Sequence, residues 1–517
     1  MDKYNYKTYR LKVVVLSPLH IGNGREMLHE YDYAIYGGRT WRFNENALLE
    51  TQNVEDPKVL EILTRTKPAQ LLKKEDYIEK SPLFRYVLKG TPKSSAEGAV
   101  VREQIKDAFD RPYLPGTTLK GSLRTALAGF LWERKNMRPQ ISELGGSPKF
   151  AASNYERKMF GKNPNFDLMR AMHIADSLSL SIDNLMLVNV RVLTGGGKPG
   201  SPIEAEAIRR DTEIISHLKL DTVLFSKWAQ ERELYLPNSD ALLNFIQIAR
   251  HHSITAIQRE LAWARRLPDG KNIVSYYETL LKHTLQPNEF FLQLGWGGGW
   301  EEKTLGEFLK RDENFMRTIL KPRKQNGYDV GRGHIPKNPK DFPVSRRIAM
   351  AYQRDEAGNI TKEIPALPLG WVLVTVESDD GSPVTSTADQ KPKIVIPLSP
   401  SPETKPAAAP KLEAKPTPLP GKKVNAVPKP PVEQLIEKFS SVPKLGDRFS
   451  GTVFSDDKGE IWLSIPGLDA DNQAYAVILR SENPLIGKVK DGDTLDCQVV
   501  ELSEESSGYW RVKCKLG

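Results

Sequence analysis

The twelve residues Tyr113-Leu114-Pro115-Gly116-Thr117-Thr118-Leu119-Lys120-Gly121-Ser122-Leu123-Arg124 restrict what this chain can fold into more than any other segment. Pro115-Gly116 ends whatever element precedes it. Leu119, Leu123, Leu127 and Leu131 then recur every fourth residue, which predicts one apolar face of a helix. Thr117 or Thr118 is placed to cap that helix. Lys120 and Arg124, also four apart, share a second face of its first turns. A helix start with free N–H groups, two cations and the small Gly121 suits a phosphate backbone. A capped amphipathic helix with solvated cations fits the same spacing.

At 517 residues, with 39% hydrophobic and 27% charged residues, the chain is long enough for more than one domain and apolar enough to bury a core. No apolar run reaches membrane-spanning length, and Met1–Tyr6 has no signal-peptide core. A cytoplasmic protein with no membrane partner is the expectation. Cys497 and Cys514 offer neither a disulfide framework nor a metal-ligand spacing, and read as small buried hydrophobes. The net charge of +9 is uneven: residues 1–379 carry +10, residues 380–443 carry +3 and residues 444–517 carry −4. The excess on the first part is the footprint of a nucleic-acid binder.

The hydropathy pattern predicts an α+β fold for residues 1–379. Residues 8–16 alternate as a strand. Asp32–Tyr36 and Thr40–Phe43 flank Gly37-Gly38 as a hairpin. Residues 46–52 and 56–66 read as helices, and 83–89 and 100–105 as strands. Residues 173–176, 185–192, 204–215 and 223–225 read as further strands, with a flexible turn at 195–200. Residues 241–264 carry a long helical pattern, and another helix follows near 274–283. Twelve prolines fall between Pro392 and Pro431. Residues 380–443 are therefore expected to be an extended, flexible Pro/Lys/Ala-rich linker. Five short strand patterns in residues 444–517 predict a small all-β barrel of OB or SH3 type. Its net acidity and scattered aromatics favour a packed barrel with a protein contact over a single-stranded RNA platform.

The segment at 113–124 resembles the signature of the RAMP superfamily, the repeat-associated RNA-binding proteins of CRISPR effector complexes. Leu16-Ser17-Pro18-Leu19-His20-Ile21-Gly22-Asn23-Gly24 is similar to that family's first strand and turn. Met159-Phe160-Gly161 with Ile174-Ala175-Asp176-Ser177, and Leu294–Trp300 with Lys303-Thr304, follow in the family's order. Pro368-Leu369-Gly370-Trp371 and Ser345-Arg346-Arg347 look most like the subunit that caps the crRNA 3′ side of type III-A (Csm) complexes. The resemblance implies a ferredoxin-like, RRM-type core with insertions. It also implies a crRNA-binding structural subunit that aids crRNA maturation, with crRNA, target RNA and other effector subunits as partners and the barrel as a possible recruiter of a trimming nuclease.

Candidate RNA contacts follow from chemistry. Gly22, Asn23, Gly24 and Arg25 combine close backbone approach with a cation. His20 is either a donor to RNA, a general base or a histidine that holds its turn. Lys120, Gly121 and Arg124 belong to the helix start. Gly297 and Gly298 sit in a glycine-rich loop that is no P-loop, since no Gly-Lys-Ser/Thr follows. Trp296 and Trp300 suit either base stacking or core packing. Lys303, Arg346 and Arg347 add cations, or a solvated pair. Asp32 is the metal-dependent catalytic candidate, because the resemblance places an Asp there in target-cleaving subunits; its neighbours Tyr31 and Tyr33 depart from that pattern. The alternative function is thus an endoribonuclease, either Mg-dependent through Asp32 with Glu26 and Glu30, or metal-independent through His20 or His29. RNA binding itself requires no cofactor.

Overall fold

The computed structural model describes residues 6–378 and 443–516, apart from 53–54, 97, 195–199, 333–334, 355–359, 458–459, 467, 469–473, 480–492 and 505–509. The chain divides into two units, Met1–Pro397 and Leu398–Gly517. In the first, the strands are β1 (Lys7–Val15), β2 (Gly22–Leu28), β3 (Tyr33–Tyr36), β4 (Arg39–Phe43), β5 (Phe84–Lys89), β6 (Val100–Gln104), β7 (Met172–Ile174), β8 (Leu185–Thr194), β9 (Ile203–Ile208), β10 (Glu213–Leu220), β11 (Glu289–Gln293), β12 (Ser345–Arg354), β13 (Ile360–Pro368) and β14 (Trp371–Ser378).

Two sheets use these strands. The first runs β11-β14-β1-β10-β7, with every neighbour antiparallel. The signature helix, Gly116–Arg134, lies in the chain between β1 and β7, and the helices Phe245–Ala264 and Lys271–Lys282 lie between β10 and β11. Strand β1 sits mid-sheet because Leu11, Val13 and Val15 alternate into the core. The second sheet runs β2-β6-β9-β8-β5-β4-β3, and the β12–β13 hairpin joins it through β8. Gly37 and Gly38, both at positive φ, make the β3–β4 turn.

The signature helix seats its leucine face on the first sheet. Leu119, Leu123, Leu127 and Leu131 are all buried in the main core, each stabilising by roughly 1.5–3 kcal/mol. The helix start differs from the sequence expectation. Neither Thr117 nor Thr118 caps it; Pro115 holds the N-cap position and has no side-chain cap bond. The cap comes from across the chain, because the Gly116 N–H donates to Asp176 Oδ1 at 2.8 Å and the Leu114 N–H to Ser177 Oγ at 2.9 Å. Gly116 lies so close to β7 that a Cβ would overlap the Ile174 carbonyl.

Three other expectations change. Residues 22–28 form strand β2 where the sequence predicts the turn after the first strand, since they pair with β6 through an irregular register between Gly22 and Glu26. Val223–Phe225 bury from a 3₁₀ turn rather than a strand, a short apolar run that periodicity cannot assign. The long helix is broken at Asn244, whose Nδ2 donates to the Asp240 carbonyl at 2.7 Å and competes with helix continuation. The turn at 195–199 and, except for Pro443, the linker at 380–443 lie outside the described residues.

The second unit is a closed barrel of β15 (Arg448–Asp457), β16 (Glu460–Ser464), β17 (Ala474–Leu479), β18 (Thr494–Glu504) and β19 (Trp510–Leu516), ordered β15-β16-β17-β19-β18. Only β17 and β19 run parallel. Phe449, Ile461 and Leu463 fill it together with Cys497 and Cys514, whose thiols burial keeps protonated. The chain is therefore α+β with an all-β barrel.

Asp176→Ala removes the cross-chain cap and is expected to cost about 0.5–2 kcal/mol in urea unfolding followed by far-UV circular dichroism. Gly116→Ala is expected to cost more, because the added methyl meets backbone rather than a movable side chain.

Candidate nucleic-acid interface

Three of the segments singled out in the sequence, around 20–25, 117–124 and 293–303, converge on one cleft of about 790 Å³. Its walls are the start of β2 (Gly22, Gly24, Arg25), the first turns of the signature helix (Gly121, Arg124), the glycine-rich loop (Gly295, Trp296, Lys303) and Arg102 of β6, with His20 and Gln293 between them. These elements lie far apart in the chain. The crossover from the first sheet to the second brings β2 and β6 beside the helix start.

A buried carboxylate anchors this region. Glu206 is fully buried and accepts from the Tyr86 hydroxyl at 2.8 Å, the Gln104 N–H at 2.9 Å and Lys106 Nζ at 2.5 Å. The carbonyl of the same residue accepts from His20 Nδ1 at 2.6 Å. That acceptor fixes the proton on Nδ1. Burial pushes His20 down to about 4; the Glu206 carbonyl works against this, and Arg102 and Lys106 add to it. His20 is therefore neutral near pH 7, 3% exposed, and a positioning group for the Gly22 strand.

Trp296 organises the cations. Its ring packs edge-on against His20 at 5.6 Å. The guanidinium groups of Arg102 and Arg347 each lie 4.9 Å from its centre. Burial and then Arg347 push Lys303 down; burial and then Arg102 and Arg332 push Arg347 down. Among the described residues neither Lys303 nor Arg347 makes an ion pair. Among the described residues, Arg25 makes no ion pair either, and Arg102 has only Glu26 at 3.5 Å. Arg25, Lys303 and Arg347, which make no ion pair among the described residues, are poised for an anion. Arg102 was not a sequence candidate, because a lone Arg within an alternating strand carries no signal of what it faces.

Other candidates are spent within the fold. Arg124 pairs with Asp167 at 2.9 Å, lies 3.6 Å from Glu156 and stacks on Phe160 at 3.8 Å. It lines the cleft as a balanced charge. Lys120, one turn earlier, is half-buried and does not line the cleft; burial lowers its pKa. Arg346, expected to be an RNA contact, is instead largely buried, pairs with Glu260 at 2.7 Å and packs on Trp263, so it holds structure. Gly297 and Gly298 line a separate cavity of about 170 Å³. The close approach at Gly297 is to the Leu369 backbone of this same chain. Trp300 packs edge-on against Phe342 at 5.0 Å, which is a core role. Asn23 ties β2 to β6 through Glu103 at 3.0 Å, and its Oδ1 accepts the Arg25 N–H at 2.8 Å.

Asp32 lies outside the cleft, and both its oxygens are engaged. Oδ2 accepts the Leu28 N–H at 2.7 Å and Oδ1 faces Arg42 at 3.1 Å. Glu30 pairs with Lys67 at 2.6 Å, which lowers its pKa, and Glu26 turns to Arg102. The three carboxylates thus point to three different cations. Among the described residues no group of three or more His, Cys, Asp or Glu is arranged to hold a metal. No described helix is long and apolar enough to cross a membrane.

Because the folded state holds the His20 proton more weakly than the unfolded chain does, its stabilising share is complete above pH 6.5 and is lost as pH falls toward 4. Unfolding free energy measured between pH 6.5 and 5, above the main carboxylate range, should decline in the parent protein. It should decline less in His20→Asn.

Comparison with known proteins gives the family. A family model for the RAMP superfamily matches residues 12–302. The chain is 28% identical over 236 residues to the CRISPR system Cms protein Csm5 of Streptococcus thermophilus, covering 41% of this chain and 64% of that one. It is 23% identical over 384 residues to Csm5 of Methanocaldococcus jannaschii, covering 71% and 89%. The chain thus spans just under two thirds of the first relative. Among solved structures, T. onnurineus Csm5 is similar at 20% identity and a TM-score of 0.48, over 70% of this chain and 99% of that one. A chain of a Csm–crRNA–target RNA ternary complex from a type III-A system is similar at 23% identity and a TM-score of 0.48, over 71% and 100%. The match across residues 12–302, more than half of the sequence, makes this protein a member of the RAMP superfamily.

Proposed function

We propose that this protein is a crRNA-binding structural subunit of a type III CRISPR effector complex that caps the backbone filament at the crRNA 3′ side. The observation that carries the reading is the Arg102–Trp296–Arg347 stack with Lys303 beside an open cleft, in which Lys303 and Arg347 make no ion pair among the described residues. Such a site grips phosphates and leaves bases free, as a guide requires. The names of the Csm5 relatives support the same assignment. Target RNA and other effector subunits are its partners, in the cytoplasm, with a trimming nuclease as a further one that would act on crRNA ends.

The first sheet, read as β1–helix–β7–β10–helix–β14 in the order β14-β1-β10-β7, is the ferredoxin-like core of this reading, and β11 extends its edge. The barrel order, with β17 and β19 parallel, supports an OB-type module. The subunit is non-catalytic in this account. Asp32 is committed to Leu28 and Arg42, which supports a role in holding the β2–β3 turn, and Mg would matter only if Asp32 were catalytic.

Filter binding of single-stranded RNA across a salt series, with Mg²⁺ present, tests both halves of the reading. Affinity should fall steeply with salt and depend little on sequence. Lys303→Ala with Arg347→Ala should flatten the log–log slope by about 1.4, two phosphate contacts at roughly 0.7 each. The RNA should stay full-length throughout. A flat salt response would overturn the phosphate reading. A cleavage product that disappears in Asp32→Ala would overturn the non-catalytic one.

A further inference from the structure

His20 has one ring nitrogen that holding its turn does not use. Its Nδ1–H donates to the Glu206 carbonyl at 2.6 Å, which leaves Nε2 with a lone pair and no proton. Among the described residues Nε2 makes no hydrogen bond. Nor is it among the polar atoms sealed from solvent without a partner, and His20, although 3% exposed, lines the cleft. Gly22 stands directly beside this atom: a Cβ there would lie 3.1 Å from Nε2 and cover it. The ring is also fixed from behind. Trp296 packs edge-on against it at 5.6 Å, and the Trp296 N–H donates to the His20 carbonyl at 2.9 Å. A buried, rigid acceptor therefore stands in the cleft wall before any ligand arrives.

We propose that His20 Nε2 accepts the 2′-hydroxyl proton of one ribose of the bound strand, and that this contact makes the cleft select RNA over DNA. The proposal rests on the cleft being the RNA site. Chemistry selects the group that meets the lone pair. An acceptor needs a proton donor, and along a sugar–phosphate backbone the phosphates and the ring oxygen only accept. The 2′-hydroxyl is the one internal backbone group that donates. Base amines donate as well, but they change from base to base, whereas a ribose is present at every nucleotide. A phosphate at this nitrogen would require the protonated ring. Burial disfavours that form, and Arg102 and Lys106 add to the effect. Arg25 and Arg102 line the same wall and suit the phosphates on either side of the sugar. The division of labour is thus plain: cations take the anions, and the neutral imidazole takes the hydroxyl.

Filter binding of the full-length protein to oligouridine, to the matching 2′-deoxy strand and to the matching 2′-fluoro strand tests the proposal. The fluoro strand keeps the ribose pucker and lacks the proton. The parent protein should prefer the ribose strand to either of the others by about 2- to 13-fold, the worth of one hydrogen bond. His20→Asn keeps a side-chain N–H for the Glu206 carbonyl and removes Nε2, so it should bring the ribose and fluoro affinities together. Gly22→Ala leaves His20 in place and covers Nε2. It should have the same effect, and it serves should the first variant misfold. A parent protein that binds the fluoro strand as tightly as the ribose strand would overturn the proposal and leave the cleft standing, and that arm needs no variant. So would a ribose preference that survives in both variants. Failure of the parent protein to bind the ribose strand at all would overturn the cleft reading, and this one with it.

Discussion

The seating of Gly116 against β7 is the constraint on which the rest of the molecule depends. Only a residue without a Cβ lets the signature helix begin in contact with the Ile174 carbonyl. Asp176 and Ser177, just after β7, then satisfy the N–H groups of Gly116 and Leu114. Helix and sheet are thereby locked at the helix start, and four leucines carry the lock along its length. The cleft exists because this junction places Gly121 and Arg124 opposite β2, β6 and the glycine-rich loop.

Charge is sorted sharply across the first unit. Behind the glycine-rich loop, Glu302 is buried; burial works to raise its pKa, but His252 and Arg259, at 2.8 and 2.5 Å, outweigh it and hold it at about 2. Glu260 binds Arg346 and Glu301 binds Lys310 in the same layer. Buried ions are tolerated only when paired, and here the pairs join the helix Phe245–Ala264 to the loop and to β12. The loop they hold presents Trp296 and Lys303, and β12 presents Arg347. Trp296 and Lys303 line the cleft, Arg347 stacks on Trp296, and neither cation makes an ion pair among the described residues. The paired charges build the scaffold and the unpaired ones await the ligand.

Much of the fold was legible in the sequence. The leucine spacing gave the signature helix, Gly37-Gly38 the β3–β4 hairpin, and five short alternating runs the barrel. What escaped was set by distant partners. The helix cap lies sixty residues away at Asp176, so local rules assigned it to Thr117 or Thr118. The Gly22–Arg25 stretch became a strand because β6 was there to pair with it. Composition at the candidate site was likewise only half informative. Arg25, Lys303 and Arg347 remained uncompensated, but Arg346, adjacent to Arg347, met Glu260, and Arg124 met Asp167. A sequence shows that a cation is present; only the fold shows whether an acid has already claimed it. Arg102 is the converse case, a plain strand residue that the topology delivers to Trp296.

The central claim is that RNA lies in the cleft between β2, β6, the signature helix and the glycine-rich loop. Hydrogen exchange of the full-length protein with and without single-stranded RNA measures this directly. The account predicts slowed exchange in residues 20–26, 100–104, 116–125 and 293–303, with the β3–β4 hairpin unchanged. Slowed exchange confined to the barrel at 443–516, with those four segments unaffected, would contradict it.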